Sequence, residues 1–71
     1  MKPKEYSKYL VDKYGHELAN DILVRKIEIS INDIVTVESK GTDTTECLNV
    51  YRYLMDTIKY VVESYNCKHV S

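Results

Sequence analysis

The chain has no tryptophan, no phenylalanine, one proline, two glycines and two cysteines in 71 residues. Each scarcity excludes something. Cys47 and Cys67 are the only thiols. On one helix they would stand about 30 Å apart, beyond the reach of a disulfide. Nothing therefore staples a domain of this size, and the chain reads as intracellular and reduced. A structural zinc site wants four ligands in paired spacings. Cys67 and His69, with His16 remote in sequence, do not supply them, so no metal is expected. Gly15 and Gly41 are solitary and cannot form a phosphate-cradling loop. No apolar run approaches the roughly 20 residues of a membrane span. The opening Met1-Lys2-Pro3-Lys4-Glu5 has no apolar stretch behind it to make a signal peptide, so a cytoplasmic protein is expected.

Charge of one sign is lacking too. Ten Lys and Arg stand against eleven Asp and Glu, for a net charge of −1. Phosphate binding needs concentrated positive charge, so nucleic acid is not the expected partner. A DNA-mimicking acidic surface is excluded equally. Nucleophilic catalysis needs a Cys or Ser beside a His and an orienting group. No such group can be placed for either His, and carboxylates such as Asp12, Glu17, Asp21 and Glu28 are scattered. The reading is non-enzymatic, with no catalytic residue and no cofactor.

What is present is helical rhythm. Cys47, Tyr51, Leu54, Ile58, Val61 and Tyr65 step four, three, four, three, four, the pattern of a helix that buries one face. Leu48, Met55 and Val62 run beside them, seven apart. Pro3 suits a first helical turn, and Gly15 suits the stop after Tyr14. The first helix is placed at 3–14, with Tyr6, Tyr9, Leu10 and Tyr14 on its apolar side. Residues 16–39 are the difficult stretch. Ile27-Glu28-Ile29-Ser30-Ile31 and Val35-Thr36-Val37-Glu38 alternate as strands do, and β-branched residues favour strands. Yet Val24, Ile27, Ile31 and Ile34 keep helical steps, as do Ile22, Ile29 and Val37. No turn signal falls between Gly15 and Gly41, and Asn32-Asp33 would make a poor hairpin turn. A strand that long is far rarer than a helix, so a second helix is placed at 16–39, with a β-hairpin as the alternative. Gly41 breaks the chain. Asp43-Thr44-Thr45-Glu46 reads as a capping box, with Asp43 the N-cap of a third helix at 44–66 and a frayed tail at 67–71.

The expected fold is all-α: one domain, with a short N-terminal helix docked on a long antiparallel helical hairpin. A monomer this small buries only about 60% of the surface its unfolded chain exposes. The third helix carries more apolar surface than the other two can cover. A homo-oligomer is therefore expected, with Leu48, Met55 and Val62 at the subunit interface. All seven aromatics are Tyr, which suits half-buried positions with the hydroxyl near water. Tyr53, Tyr60 and Cys67 fall along one edge of the third helix. Arg52 with Tyr53 and Tyr60 is the candidate ligand-binding set, able to stack and to contact an anion, against plain boundary packing as the alternative. Arg52–Asp56 and Lys59–Glu63 are spaced as surface ion pairs.

Pro3-Lys4-Glu5, Leu10-Val11-Asp12-Lys13-Tyr14, Ile31-Asn32-Asp33-Ile34 and Tyr51-Arg52-Tyr53-Leu54-Met55-Asp56-Thr57-Ile58 together resemble short helical accessory proteins encoded by phages of gut anaerobes. Those chains commonly open Lys-Glu-Lys-Ala-x-Glu-Leu-Val-x-Lys-Tyr/Phe, carry Val-Asp-Glu-Ile centrally and close Tyr-Trp-x-x-Val-x-x-x-Ile. This chain has Arg52 where Trp is usual, and it is richer in Ile and Val. The resemblance implies a helical fold and a phage accessory role inside an infected cell, but not an activity. Three classes follow: a protein that binds and inhibits a host protein, possibly a defence component; an oligomer that sequesters a small nucleotide-like signal; and a small DNA-binding regulator.

Overall fold

The computed structural model describes residues 1–69, and of Lys68 and His69 the backbone alone. Three α-helices account for nearly all of it: α1 Pro3–Tyr14, α2 His16–Ser39 and α3 Thr45–His69. Residues 27–37 are helix throughout. The strand preference of β-branched residues amounts to tenths of a kcal/mol each. An unbroken backbone ladder over 24 residues, with one side packed, outweighs it.

Glycine sets both breaks, in two different ways. Gly15 is a one-residue joint. Its N–H donates to the Val11 carbonyl at 2.8 Å, ending α1, and its carbonyl accepts from Ala19 N–H at 3.0 Å, starting α2. To do both it takes φ 86 and ψ 166, a region that is essentially glycine's alone. Gly41 has φ 74 and closes α2 with paired bonds. Its own N–H donates to the Glu38 carbonyl at 3.0 Å, and Thr42 N–H donates to the Val37 carbonyl at 3.2 Å. That is the Schellman arrangement, whose left-handed residue can be Asn as well as Gly. A Cβ at either position would meet nothing within 4 Å, so the strain of a substitution is purely backbone strain. Gly41→Val should cost about 1–2 kcal/mol and Gly41→Asn little. Gly15→Asn should cost as much as Gly15→Val, because the extended ψ offers Asn no refuge. Urea denaturation of the four variants checks this. Equal tolerance of Asn at both positions contradicts the distinction.

The start of α3 departs from the expected capping box. Leu48 N–H donates to the Thr44 carbonyl at 2.9 Å, so Thr44 holds the N-cap position and Asp43 precedes it. Asp43 still holds an otherwise unpaired amide. Its Oδ1 accepts from Thr45 N–H at 3.0 Å and from the Thr45 hydroxyl at 2.6 Å. This local turn, made by an Asx side chain two residues ahead, outcompetes the box because it gains the hydroxyl as a second donor. Glu46 then falls in the first turn, where its charge suits the helix dipole. The Thr45 hydroxyl, then its backbone N–H, hold the Asp43 carboxyl below the usual carboxylate range. A depressed folded value means stability that is present above the unfolded carboxylate's pKa and lost as pH falls through the folded one. Asp43→Ala should therefore lose stability at neutral pH and match the parent below the folded value. Melting curves from pH 7 to pH 2 test it, and a pH-independent difference contradicts it.

At its other end α3 runs to His69, past the expected stop at 66. Residues 67–69 of the expected tail are helical, and residues 70–71 lie outside the described residues. The pairing of Cys67 with His69 also falls outside them, since the His69 side chain is not described.

The core holds Leu10 from α1, Ala19 and Leu23 from α2, and Leu54 and Val61 from α3. Tyr6, Val11, Ile27 and Ile58 pack against it, half-buried. Three hydroxyl residues are buried as well: Ser7, Ser30 and Thr57. Ser7 donates to the Lys4 carbonyl at 2.7 Å and Thr57 to the Tyr53 carbonyl at 2.7 Å, so each satisfies its hydroxyl on its own helix. On α2 the buried line is Ala19, Leu23 and Ser30, not the Ile and Val rows. Small side chains let helices approach closely. Of the larger β-branched residues, Ile27 packs against the core half-buried, while Val24, Ile29, Ile31 and Val35 are left exposed.

His16 at the start of α2 meets Ser64 near the end of α3, at 3.1 Å. Ser30 and Asp33 share a cleft with Cys47 and Val50, so the later part of α2 lies by the first turns of α3. Tyr6 of α1 stacks on Tyr53, with centroids 5.9 Å apart. Ser7, Val11, Tyr60, Ser64 and Cys67 line the cleft between α1 and α3. The 12-residue α1 thus flanks the part of α3 from about Val50 onward. The other ends of α2 and α3 project beyond it, in a molecule measuring 49 × 20 × 19 Å.

Candidate interaction surface

Each residue of an α-helix advances about 100° around its axis. On α3, Leu48, Met55 and Val62 lie roughly 100° round from the buried Leu54. They are 39%, 41% and 47% exposed. On α2, Val24, Ile31 and Val35 lie a similar angle from Leu23 and are 38%, 45% and 60% exposed. These two rows share one face. Glu17 and Asn20 of α2 line a cleft there with Val62 and Tyr65 of α3. α1 occupies the opposite flank, beside Lys26 and Ile29 of α2 and Tyr53 of α3. The result is an apolar strip along α2 and α3, facing away from α1, with half-buried Ile27, Tyr51 and Ile58 in its floor. The row Leu48, Met55 and Val62 stands on this strip.

The candidate ligand set is distributed differently. Tyr53 is half-buried between elements: its ring stacks on Tyr6 and its hydroxyl donates to the Met1 carbonyl. Tyr60 lines a different cleft, with Val11 and Ser64. Arg52 is exposed and lines neither.

Two polar clusters went unread in the sequence. His16 bonds to Ser64 and meets Tyr65 edge-on, with ring centroids 5.9 Å apart. The Lys13 ammonium lies 5.5 Å from the Tyr9 ring centre and 5.4 Å from that of Tyr14. A hydrogen bond to the Tyr9 hydroxyl, then the charge interaction with Tyr14, raise its pKa. The spacing of Tyr9 and Lys13 by four was the available signal for this contact. The antiparallel pairing of 16–39 with 44–66 brings these two ends together, but nothing in the sequence singles out Ser64 as the partner of His16. Among the described residues, no three His, Cys, Asp or Glu side chains gather as metal ligands. No helix there is long and apolar enough to cross a membrane.

No family model, curated protein or solved structure matches this chain. The surface therefore has to be read from its own chemistry. None of the seven tyrosines is fully buried, in keeping with boundary positions. The exposed aliphatic residues are a different matter. A strip of Val, Ile, Leu and Met carries no polar tip to meet water.

Proposed function

We propose that the protein is a non-enzymatic binding protein that works as a homo-oligomeric helical bundle, its long α2–α3 hairpin supplying the subunit contact. The observation that supports this is the apolar strip. Val24, Ile31, Leu48, Met55 and Val62 are exposed on one face, and the buried core numbers only five hydrophobic residues among the described residues. A domain of this size is marginal as a monomer, and association would bury the strip and enlarge the core together. The resemblance to phage accessory proteins suggests the setting: the assembled protein binds and inhibits a host protein, possibly a defence component.

The test is the mass of the protein by light scattering, from low to high micromolar concentration, with far-UV dichroism alongside. A multiple of the chain mass at high concentration, falling on dilution, supports the reading. A single-chain mass throughout overturns it.

A further inference from the structure

The borders of the strip are oppositely charged. Beyond its apolar row, α2 carries exposed Asp21 and Glu28. Beyond its own, α3 carries exposed Arg52 and Lys59. Each pair is seven residues apart, so each lies in line along its helix. Asp56 and Glu63 follow the two cations by four residues and therefore sit about 40° further round, away from the strip. The register between the helices is set by His16 beside Ser64 and by Ser30 and Asp33 beside Cys47 and Val50. Continued along the pair, it places Asp21 level with Lys59 and Glu28 level with Arg52. Within one chain these borders are on opposite edges of the strip and cannot meet.

Resting on the self-association proposed above, we infer that the occupant of the strip is a second copy, related by a two-fold axis running along the helices. That axis lays α2 of one chain over α3 of its partner at the same height. The acidic border of each α2 then meets the basic border of the other α3: Asp21 opposite Lys59 and Glu28 opposite Arg52, twice over. Met55 and Val24 meet at the centre. The other face-to-face arrangement, with the axis across the helices, lays α2 on α2 and α3 on α3. It sets acid against acid and base against base, and like charges in register oppose it. The borders thus choose both the partner and its orientation, as flanking charges do in coiled coils.

The experiment is a charge swap with three proteins, using masses and equilibrium sedimentation at low salt. One variant carries Arg52→Glu and Lys59→Glu, another Asp21→Lys and Glu28→Lys, and the third all four. All four sites are exposed, and dichroism reports their folding. Each double variant alone should dissociate roughly tenfold or more as readily as the parent, with the difference shrinking in high salt. An equimolar mixture of the two doubles should form a mixed dimer, and the quadruple variant should dimerise like the parent. If the parent assembles and both doubles assemble equally well, the two-fold arrangement is wrong while the self-association stands. If the parent is a single chain at every concentration, both are wrong.

Discussion

Leu23→Ala should lower the stability of the folded chain by about 2–5 kcal/mol. Leu23 is 0% exposed and sits among Leu10, Ala19, Leu54 and Val61. Against a total of roughly 4–10 kcal/mol for a domain this long, the loss should leave a large unfolded fraction at 37 °C. Thr57→Val is the informative contrast. Thr57 is equally buried, but its hydroxyl bonds only to the Tyr53 carbonyl of its own helix. The Tyr53 carbonyl keeps its helical bond from the Thr57 N–H, so removing the hydroxyl strands no group and the change should stay within about 1 kcal/mol of neutral. Urea titrations of both variants decide the matter. A Leu23→Ala loss below that of Thr57→Val would show that the core is not centred where α2 carries Ala19, Leu23 and Ser30.

Met55→Glu should break the assembly. In the single chain Met55 is 41% exposed, so a carboxylate there could stay in water and would not disturb the packing within one chain. In the proposed bundle Met55 is at the middle of the contact, where a charge would be buried without a partner. Mass should fall to that of one chain, and the released chain, marginal for its size, should be less helical and melt at lower temperature than the parent at equal concentration. Ile58→Glu should act otherwise. Ile58 packs against the core, so the charge should disturb folding at any concentration. A Met55→Glu protein with the parent's mass and dichroism would remove Met55 from the interface and with it the assignment of Leu48 and Val62.

By itself the sequence determined the elements of this protein. Pro3, Gly15 and Gly41 act on the backbone within a turn of where they stand, so α1 and α2 begin and end where these residues place them. The absence of a good turn signal across α2 favoured helix over strand, because a hairpin needs a turn before its backbone can pair. The exposed row Leu48, Met55 and Val62 was legible as well, since helical periodicity separates it from Leu54 and Val61 by a fixed angle. Tertiary structure alone decided which side of α2 turns inward. Apolar residues cover most of its circumference, so periodicity left the phase open, and close packing selected Ala19, Leu23 and Ser30 over the isoleucines. It also decided that Tyr53 would reach Met1 and that His16 would meet Ser64, whereas the bond of Asp43 to Thr45 is local. The reach of Tyr53 and the meeting of His16 depend on how three helices are placed against one another. That placement follows from packing area and shape summed over whole helices, which no local run of residues encodes.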